Sequence, residues 1–193
     1  SGRELALQFG GTVDWSSRDG SEFSPVLGAT ARADSPAGSR FVSLEYAATS
    51  QLPGYTVLNS RPAGLFGGNP DLGREKARQL SLSAGLDSGT WNGKFTVFYR
   101  EDDDLVDWTF ASGAPFARQA NAVDIGVTGV ELFGRARWSG LDLIASYTYL
   151  DKDADYGSAT VDARFYALNF ATHRATVAVL YRFGGDFEVR FDS

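Results

Sequence analysis

Cysteine and methionine are both missing from the 193 residues, and histidine occurs once. Without cysteine no disulfide framework and no thiolate metal site can form. A single histidine offers little for transition-metal chemistry, so His173 is read as structural. Long apolar runs are missing as well, and no window approaches the roughly 18 consecutive apolar residues of a membrane-spanning helix. That excludes a helical membrane protein and leaves open a membrane crossing made of strands, whose alternating signal hydropathy windows average away. No Gly-x-Ser-x-Gly elbow occurs, which weighs against Ser/His/Asp hydrolysis. Positive charge is in deficit, with 18 Lys+Arg against 24 Asp+Glu and a net charge of −6, and no basic stripe points to nucleic acid. The chain opens Ser1-Gly2-Arg3 without an initiator methionine or signal segment. It is therefore expected to be a piece of a longer protein.

What is present is a pattern with a period of two. The composition, 43% hydrophobic with 22 glycines, is neither disordered nor helix-rich and suits an all-β chain with many turns. Leu5, Leu7, Phe9, Val13 and Trp15 alternate with Glu4, Gln8, Thr12 and Asp14. Leu80, Leu82, Ala84 and Leu86 alternate with Gln79, Ser81, Ser83 and Asp87. Leu141, Leu143, Ala145, Tyr147 and Tyr149 alternate with Asp142, Ser146 and Thr148. Phe98, Phe133 and Ile144 interrupt the polar side. Continued along the chain, the pattern predicts about nine strands with one apolar and one polar face.

A soluble β-sandwich also alternates, and three features favour a membrane barrel over it. Several runs last about ten residues, the length a tilted strand needs to cross the bilayer core, whereas soluble strands run about 5–6. Connections alternate in length: tight turns at residues 35–39, 88–90, 139–140 and 184–186, long ones at 51–78, 101–122 and 151–172, and a short one at 16–22 on the long side. Trp91, Trp138, Phe183 and Phe187 stand on the apolar face beside the tight turns, and Tyr99, Tyr147 and Tyr149 stand near the long loops. Two aromatic bands around an aliphatic belt suit the two membrane interfaces. The expected fold is all-β: an antiparallel transmembrane β-barrel sector of about nine long strands with short periplasmic turns and long extracellular loops. An odd count with two open edges cannot stand alone in lipid, so the remaining strands are expected elsewhere in the parent protein.

The third connection carries Gln51-Leu52-Pro53-Gly54-Tyr55 and then Asn69-Pro70-Asp71-Leu72-Gly73-Arg74-Glu75. The latter resembles the Asn-Pro-Asp-Leu-x-x-Glu signature of TonB-dependent outer-membrane receptors, in which proline is common at the position held by Gly73. Ala120-Asn121 with Gly129-Val130-Glu131-Leu132, and then Ala145 to Leu150, resemble the family's following strands. Asn169 to His173 is similar to its Arg-x-Pro-x-His box but lacks the arginine and proline. The resemblance covers residues 51–182 and implies a stretch of the C-terminal half of a large plugged barrel, with residues 1–193 all barrel and the plug domain and final strands outside it. It also implies a receptor, not an enzyme, of the Gram-negative outer membrane. Such a receptor takes up a scarce bulky nutrient (siderophore, cobalamin, haem or glycan) with energy from TonB, among outer-membrane lipid and lipopolysaccharide. A passive porin-like channel is the alternative.

Local chemistry is sparse. Asn69-Pro70-Asp71 reads first as a turn organiser before a strand. Asp151, Asp153 and Asp155, like Glu101 to Asp104 with Asp107, read first as a solvated acidic rim, although alternate carboxylates could offer hard oxygen ligands to Ca²⁺. Aromatic residues crowd the long loops, among them Phe66, Trp108, Phe110, Phe116, Tyr156, Phe165 and Tyr166. Of these, Phe66, Trp108, Phe116, Tyr156 and Tyr166, with Arg61, Arg118 and Arg164, are the candidate ligand-binding residues, aromatic for apolar parts and guanidinium for anionic groups. Packing of the loops on themselves is the competing reading.

Overall fold

The computed structural model describes residues 2–61, 64–159, 161–164, 170–183 and 187–192. The strands are β1 (Gly2–Ser16), β2 (Gly20–Ser35), β3 (Gly38–Gln51), β4 (Phe66–Gly67), β5 (Glu75–Asp87) and β6 (Trp91–Phe110), with one short helix, α1 (Tyr55–Asn59), between β3 and β4. They continue with β7 (Arg118–Trp138), β8 (Leu141–Asp155), β9 (Ala163–Arg164), β10 (His173–Phe183) and β11 (Phe187–Asp192). Nine of them form one antiparallel meander in the order β1-β2-β3-β5-β6-β7-β8-β10-β11. Among the described residues β1 and β11 are each paired on one side only, so the sheet is an open sector of a barrel.

The polarity of the two faces is inverted relative to a soluble protein. Leu7 and Phe9 are 71% and 85% exposed, whereas Ser43 and Ser83 are 5% and 4% exposed. Water would penalise that arrangement, and lipid on the apolar side removes the penalty. The polar side is finished by hydroxyl pairs across strands, Ser83 to Thr96 at 2.9 Å and Ser146 to Thr176 at 2.5 Å. Two aromatic residues on that side cover glycines of the next strand. Phe41 lies over Gly85, where a Cβ would sit 2.3 Å from the ring, and Phe98 over Gly129, where it would sit 2.2 Å away. The interruption at Phe98 is thus a paired feature, a ring filling the gap that a glycine leaves. It also joins a small apolar cluster with Val123, Ile125, Val127 and Leu150 on the inner face.

Tight turns close one end of the meander. Gly38 has φ 130° and an added Cβ there would meet the Asp87 carbonyl at 2.2 Å, so only glycine fits. The turn at 184–186 lies outside the described residues. Aromatic rings border this end: Trp91 meets Trp138 edge-on at 5.6 Å, and Tyr181, Phe183 and Phe187 stack in series. At the other end Tyr147 and Tyr149 flank His173, whose Nδ1 is 2.7 Å from the Tyr147 hydroxyl. The single histidine is a member of the second aromatic band.

The long connections are shorter than the alternation suggests. β6 continues to Phe110 and β7 begins at Arg118, so the loop expected at 101–122 shrinks to 111–117. Likewise β8 runs to Asp155, which puts Asp151, Asp153 and Asp155 on a strand and not in a loop. In β6 the alternation is broken by a β-bulge between Asp102 and Leu105. Asp104 adopts φ 56° there and its N–H donates to the Asp124 carboxylate at 2.9 Å. One extra residue reverses which side chains face inward, so a reading in steps of two from Trp91 loses the strand at that point.

The inverted faces generate a direct expectation. Leu82→Arg, in the outward belt, should destabilise the folded protein by about 2–4 kcal/mol, while Gln79→Arg on the inner face should cost far less. Denaturant titration of the full-length protein refolded into lipid vesicles measures both. Equal costs would contradict the assignment of faces.

Candidate functional site

Beyond the bulge, β6 and β7 project as a hairpin whose ladder runs on to Thr109 opposite Gln119. Two neighbouring connections clasp it. β4 comes from the β3–β5 side and pairs in parallel with β7, Phe66 opposite Arg118 and Gly67 opposite Gln119. β9 comes from the β8–β10 side and pairs with β6, Thr109 opposite Arg164 and Phe110 opposite Ala163. Each connection therefore crosses the hairpin to reach the far edge. They cross on opposite faces, since the first packs on Trp108 and the second packs on Asp107, which point to opposite sides of one strand.

On the Trp108 face the Phe66 ring meets Trp108 edge-on at 5.1 Å, and the Arg118 guanidinium lies 5.5 Å from the centre of Phe66. Phe116 closes on Gly67, where a Cβ would be 2.5 Å from its ring. Ala120 is completely covered beneath them. On the other face Asp107 is fully buried and accepts a hydrogen bond from the Tyr156 hydroxyl at 2.8 Å. Across the ladder from Asp107, Asn121 donates to Thr109 Oγ1 at 2.6 Å. A buried carboxylate with such partners fixes the geometry of the hairpin base.

The signature segment is held by the turn between β1 and β2. Asn69 Oδ1 accepts from the Asp71 N–H at 3.0 Å, the Asx turn expected of Asn-Pro. Arg18 donates to the carbonyls of Pro70 and Leu72, the latter at 2.8 Å. Arg74, 7% exposed, grips Asp19 through two hydrogen bonds of 2.7 and 2.9 Å and reaches Ser50 at 3.3 Å. The turn-organiser reading of Asn69–Glu75 describes this geometry, and the partners Arg18 and Asp19 are what sequence reasoning missed. The paired hydrogen bonds from Arg74 hold the Asp19 carboxyl below its ordinary value, against the opposing effect of desolvation.

Of the eight sequence candidates, four come together: Phe66, Trp108, Phe116 and Arg118. Tyr156 lies on the opposite face of the same hairpin, against Asp107. Arg61 is exposed and stands apart. Arg164 is placed by its backbone opposite Thr109, and Tyr166, like Phe165, lies outside the described residues. Asp151, Asp153 and Asp155 alternate along one side of β8 and, with Glu101, Asp103 and Asp124, line a shallow acidic groove of about 330 Å³. Among the described residues no three acidic or histidine side chains converge closely enough to hold one metal ion. Lys152 was not singled out by sequence; its ammonium lies 3.8 Å from the centre of the Phe170 ring.

Strand length, inverted faces, paired aromatic bands and a clasped hairpin at the long-loop end define a sector of an outer-membrane β-barrel. The chain belongs to the family of TonB-dependent receptor-like β-barrels, whose model matches residues 2–192. No curated protein matches it in sequence. Among solved structures it is similar to the copper transporter OprC, with TM-score 0.62 and 17% identity over 85% of this chain and 25% of that one. It is also similar to the FrpB iron transporter from Neisseria meningitidis (F3-3 variant), with TM-score 0.60 and 18% identity over 89% of this chain and 26% of that one. At such identities the likeness speaks for the fold. The chain spans about a quarter of the length of those transporters.

Two outcomes are expected. The ion pair of Arg74 with a carboxyl of depressed pKa contributes stability above the unfolded value near about 4 and loses it as pH falls through the lower folded value. Limited proteolysis at residues 52–73 should therefore accelerate on acidification below about pH 4, and Arg74→Ala should produce the fast cleavage already at neutral pH. Tyr156→Phe removes a hydrogen bond to a buried charge, worth about 1.5–3 kcal/mol. Amide exchange in residues 105–110 should accelerate accordingly, and unchanged exchange would show that Tyr156 does not fix the hairpin base.

Proposed function

We propose that this chain is a barrel sector of an outer-membrane receptor that takes up a scarce, bulky nutrient with energy supplied through TonB. The observation that carries the reading is the clasped β6–β7 hairpin, which presents Phe66, Trp108, Phe116 and Arg118 as one aromatic and cationic group at the long-loop end. A passive channel needs strands and a polar interior; it has no need of a braced aromatic cluster at the long-loop end. Family membership and the transport named for both structural neighbours support the same direction.

The chemistry of the cluster favours a ligand with flat apolar parts and an anionic group over a bare metal ion. Aromatic faces and a guanidinium supply stacking and paired hydrogen bonds. This sector offers copper neither thiolate nor thioether, since cysteine and methionine are lacking. A siderophore, haem, cobalamin or glycan satisfies the cluster better. The acidic groove along β8 would meet the phosphates of lipopolysaccharide only through divalent cations, with the lipid completing the ligand set.

Uptake of candidate nutrients by cells that carry the full-length receptor decides between the two classes. Dissipating the inner-membrane proton gradient should abolish uptake through a receptor and leave a passive channel unaffected. Trp108→Ala or Arg118→Ala should weaken binding of the transported ligand roughly tenfold, the usual scale for such anchors. Binding unaffected by either substitution would remove the cluster from the ligand site.

A further inference from the structure

The outward face is not uniformly filled. Near the tight turns a groove of about 740 Å³ crosses the sheet from β1 to β7, a size within the range of about 300–1,000 Å³ typical of small-molecule sites. Its position follows from register. One wall is the row Arg3, Ala33, Arg40, Leu86 and Gly93, each opposite the next on adjacent strands. The other is the row Ala31, Val42, Ala84, Phe95 and Leu132. All ten share the phase of the exposed belt residues Leu5, Leu44 and Leu82, so they face lipid. Alanine and glycine at four of these positions leave a trench where larger side chains would have closed the belt.

The trench is oblique. Arg40 stands two residues beyond Gly38, at the rim of the tight turns, whereas Leu132 is six residues short of the end of β7 at Trp138. It therefore climbs from the interface into the middle of the apolar belt. Both arginines sit at its rim end, separated by the small side chain of Ala33. They continue into a second hollow of about 700 Å³, lined by Ser35, Ser39 and Ser88 and also by Asp34 and Asp87.

Three arginines of the inner face have protein carboxylates: Arg32 pairs with Asp34, Arg135 with Asp142 and Arg182 with Glu188. Arg3 and Arg40 have no ion-pair partner among the described residues. The two rim carboxylates nearby are otherwise engaged, Asp34 with Arg32 and Asp87 with the Gly89 N–H. A guanidinium on the lipid side of a barrel finds its counter-charge in a headgroup, and bidentate hydrogen bonding suits it to phosphate.

We propose that this trench is a binding site for an anionic phospholipid of the leaflet on the tight-turn side, its phosphate held by Arg3 and Arg40 and one acyl chain lying in the trench. Arg40 is the principal anchor, because β2 and β5 flank it on both sides. Gly93 is a gap in the first wall, where an added Cβ would meet only the Phe133 carbonyl at an ordinary 3.6 Å. A larger side chain there fills the trench without disturbing the sheet.

The test uses the full-length receptor in mixed micelles, with native mass spectrometry counting retained lipid. The probes are phosphatidylglycerol, phosphatidylcholine, lipopolysaccharide and inorganic phosphate. Phosphatidylglycerol should be retained in preference to phosphatidylcholine, and inorganic phosphate should not displace it. Arg40→Gln should weaken retention roughly fivefold, the scale for one basic side chain at an anionic lipid surface, and Arg3→Gln with Arg40→Gln should weaken it further. Gly93→Leu should reduce retention with both arginines in place, while Ala145→Leu, on the outward face away from the trench, should not. Equal retention of the two phospholipids, retention indifferent to Arg40→Gln, or preferential retention of lipopolysaccharide would overturn the site. If Gly93→Leu fails to insert, Arg40→Gln, which changes charge and leaves packing alone, still decides.

Discussion

Every backbone polar group in the hydrocarbon layer must find its partner within the protein, and this requirement governs the rest of the structure. An antiparallel meander meets it strand by strand, each neighbour supplying the next ladder from β1 to β11. The same requirement dictates the inverted faces. Once the ladder fixes the strands side by side, alternate side chains have only lipid or lumen to face. Leucine and phenylalanine go outward, and serine and threonine hydroxyls pair with one another inside. The two edge strands show the requirement by its incompleteness here, since each offers an unpaired row that the rest of a barrel must satisfy.

Where the strands leave the membrane the constraint relaxes and a different physics takes over. Above the bulge at Asp102–Leu105 the β6–β7 hairpin could not stand on its own ladder, because a two-stranded ribbon is marginal in water. Its stability comes from being crossed on both faces. Phe66 against Trp108 supplies apolar contact on one side, and Tyr156 to the buried Asp107 supplies a polar anchor on the other. The turn of β1–β2, through Arg18 and Asp19, holds the incoming segment, so three connections brace one projecting element. A surface built on such a scaffold keeps a fixed shape, which would reduce the ordering cost of any association there.

The strands were readable from the sequence because period two is a local property, visible wherever Leu80 to Asp87 or Leu141 to Tyr149 alternate. Aromatic bands were readable for the same reason, as rings at strand ends. The extent of β6 was not, since a single extra residue at the bulge shifts the phase and imitates a loop. Nor were β4 and β9, where two-residue pairings depend on where a long connection happens to land. The partnership of Arg74 with Asp19 spans 55 residues, and nothing near either residue announces the other. Of the candidate ligand residues, the grouping of Phe66, Trp108, Phe116 and Arg118 required the crossing of β4 over the hairpin. Their residue types alone could as well have described separate loops.

Barrel sectors are usually considered as walls, with function assigned to what passes inside or lands on top. The distribution of small side chains here argues for a more specific role of the outer surface. A wall needs only to be apolar, and bulky aliphatic residues at Ala31, Ala33, Ala84 and Gly93 would have served. Small residues at those positions forfeit outward contact area and leave an oblique trench that ends at two cations with no ion-pair partner among the described residues. Lipid fills every gap on this face, but annular lipid exchanges freely and needs no counter-charge. A trench with a charged end distinguishes one lipid from its neighbours, because headgroup and chain are held in a single fixed relation. On the inner face Arg32, Arg135 and Arg182 are paired with carboxylates of the protein itself. At Arg3 and Arg40, where no such carboxylate is paired among the described residues, the headgroup layer supplies the counter-charge.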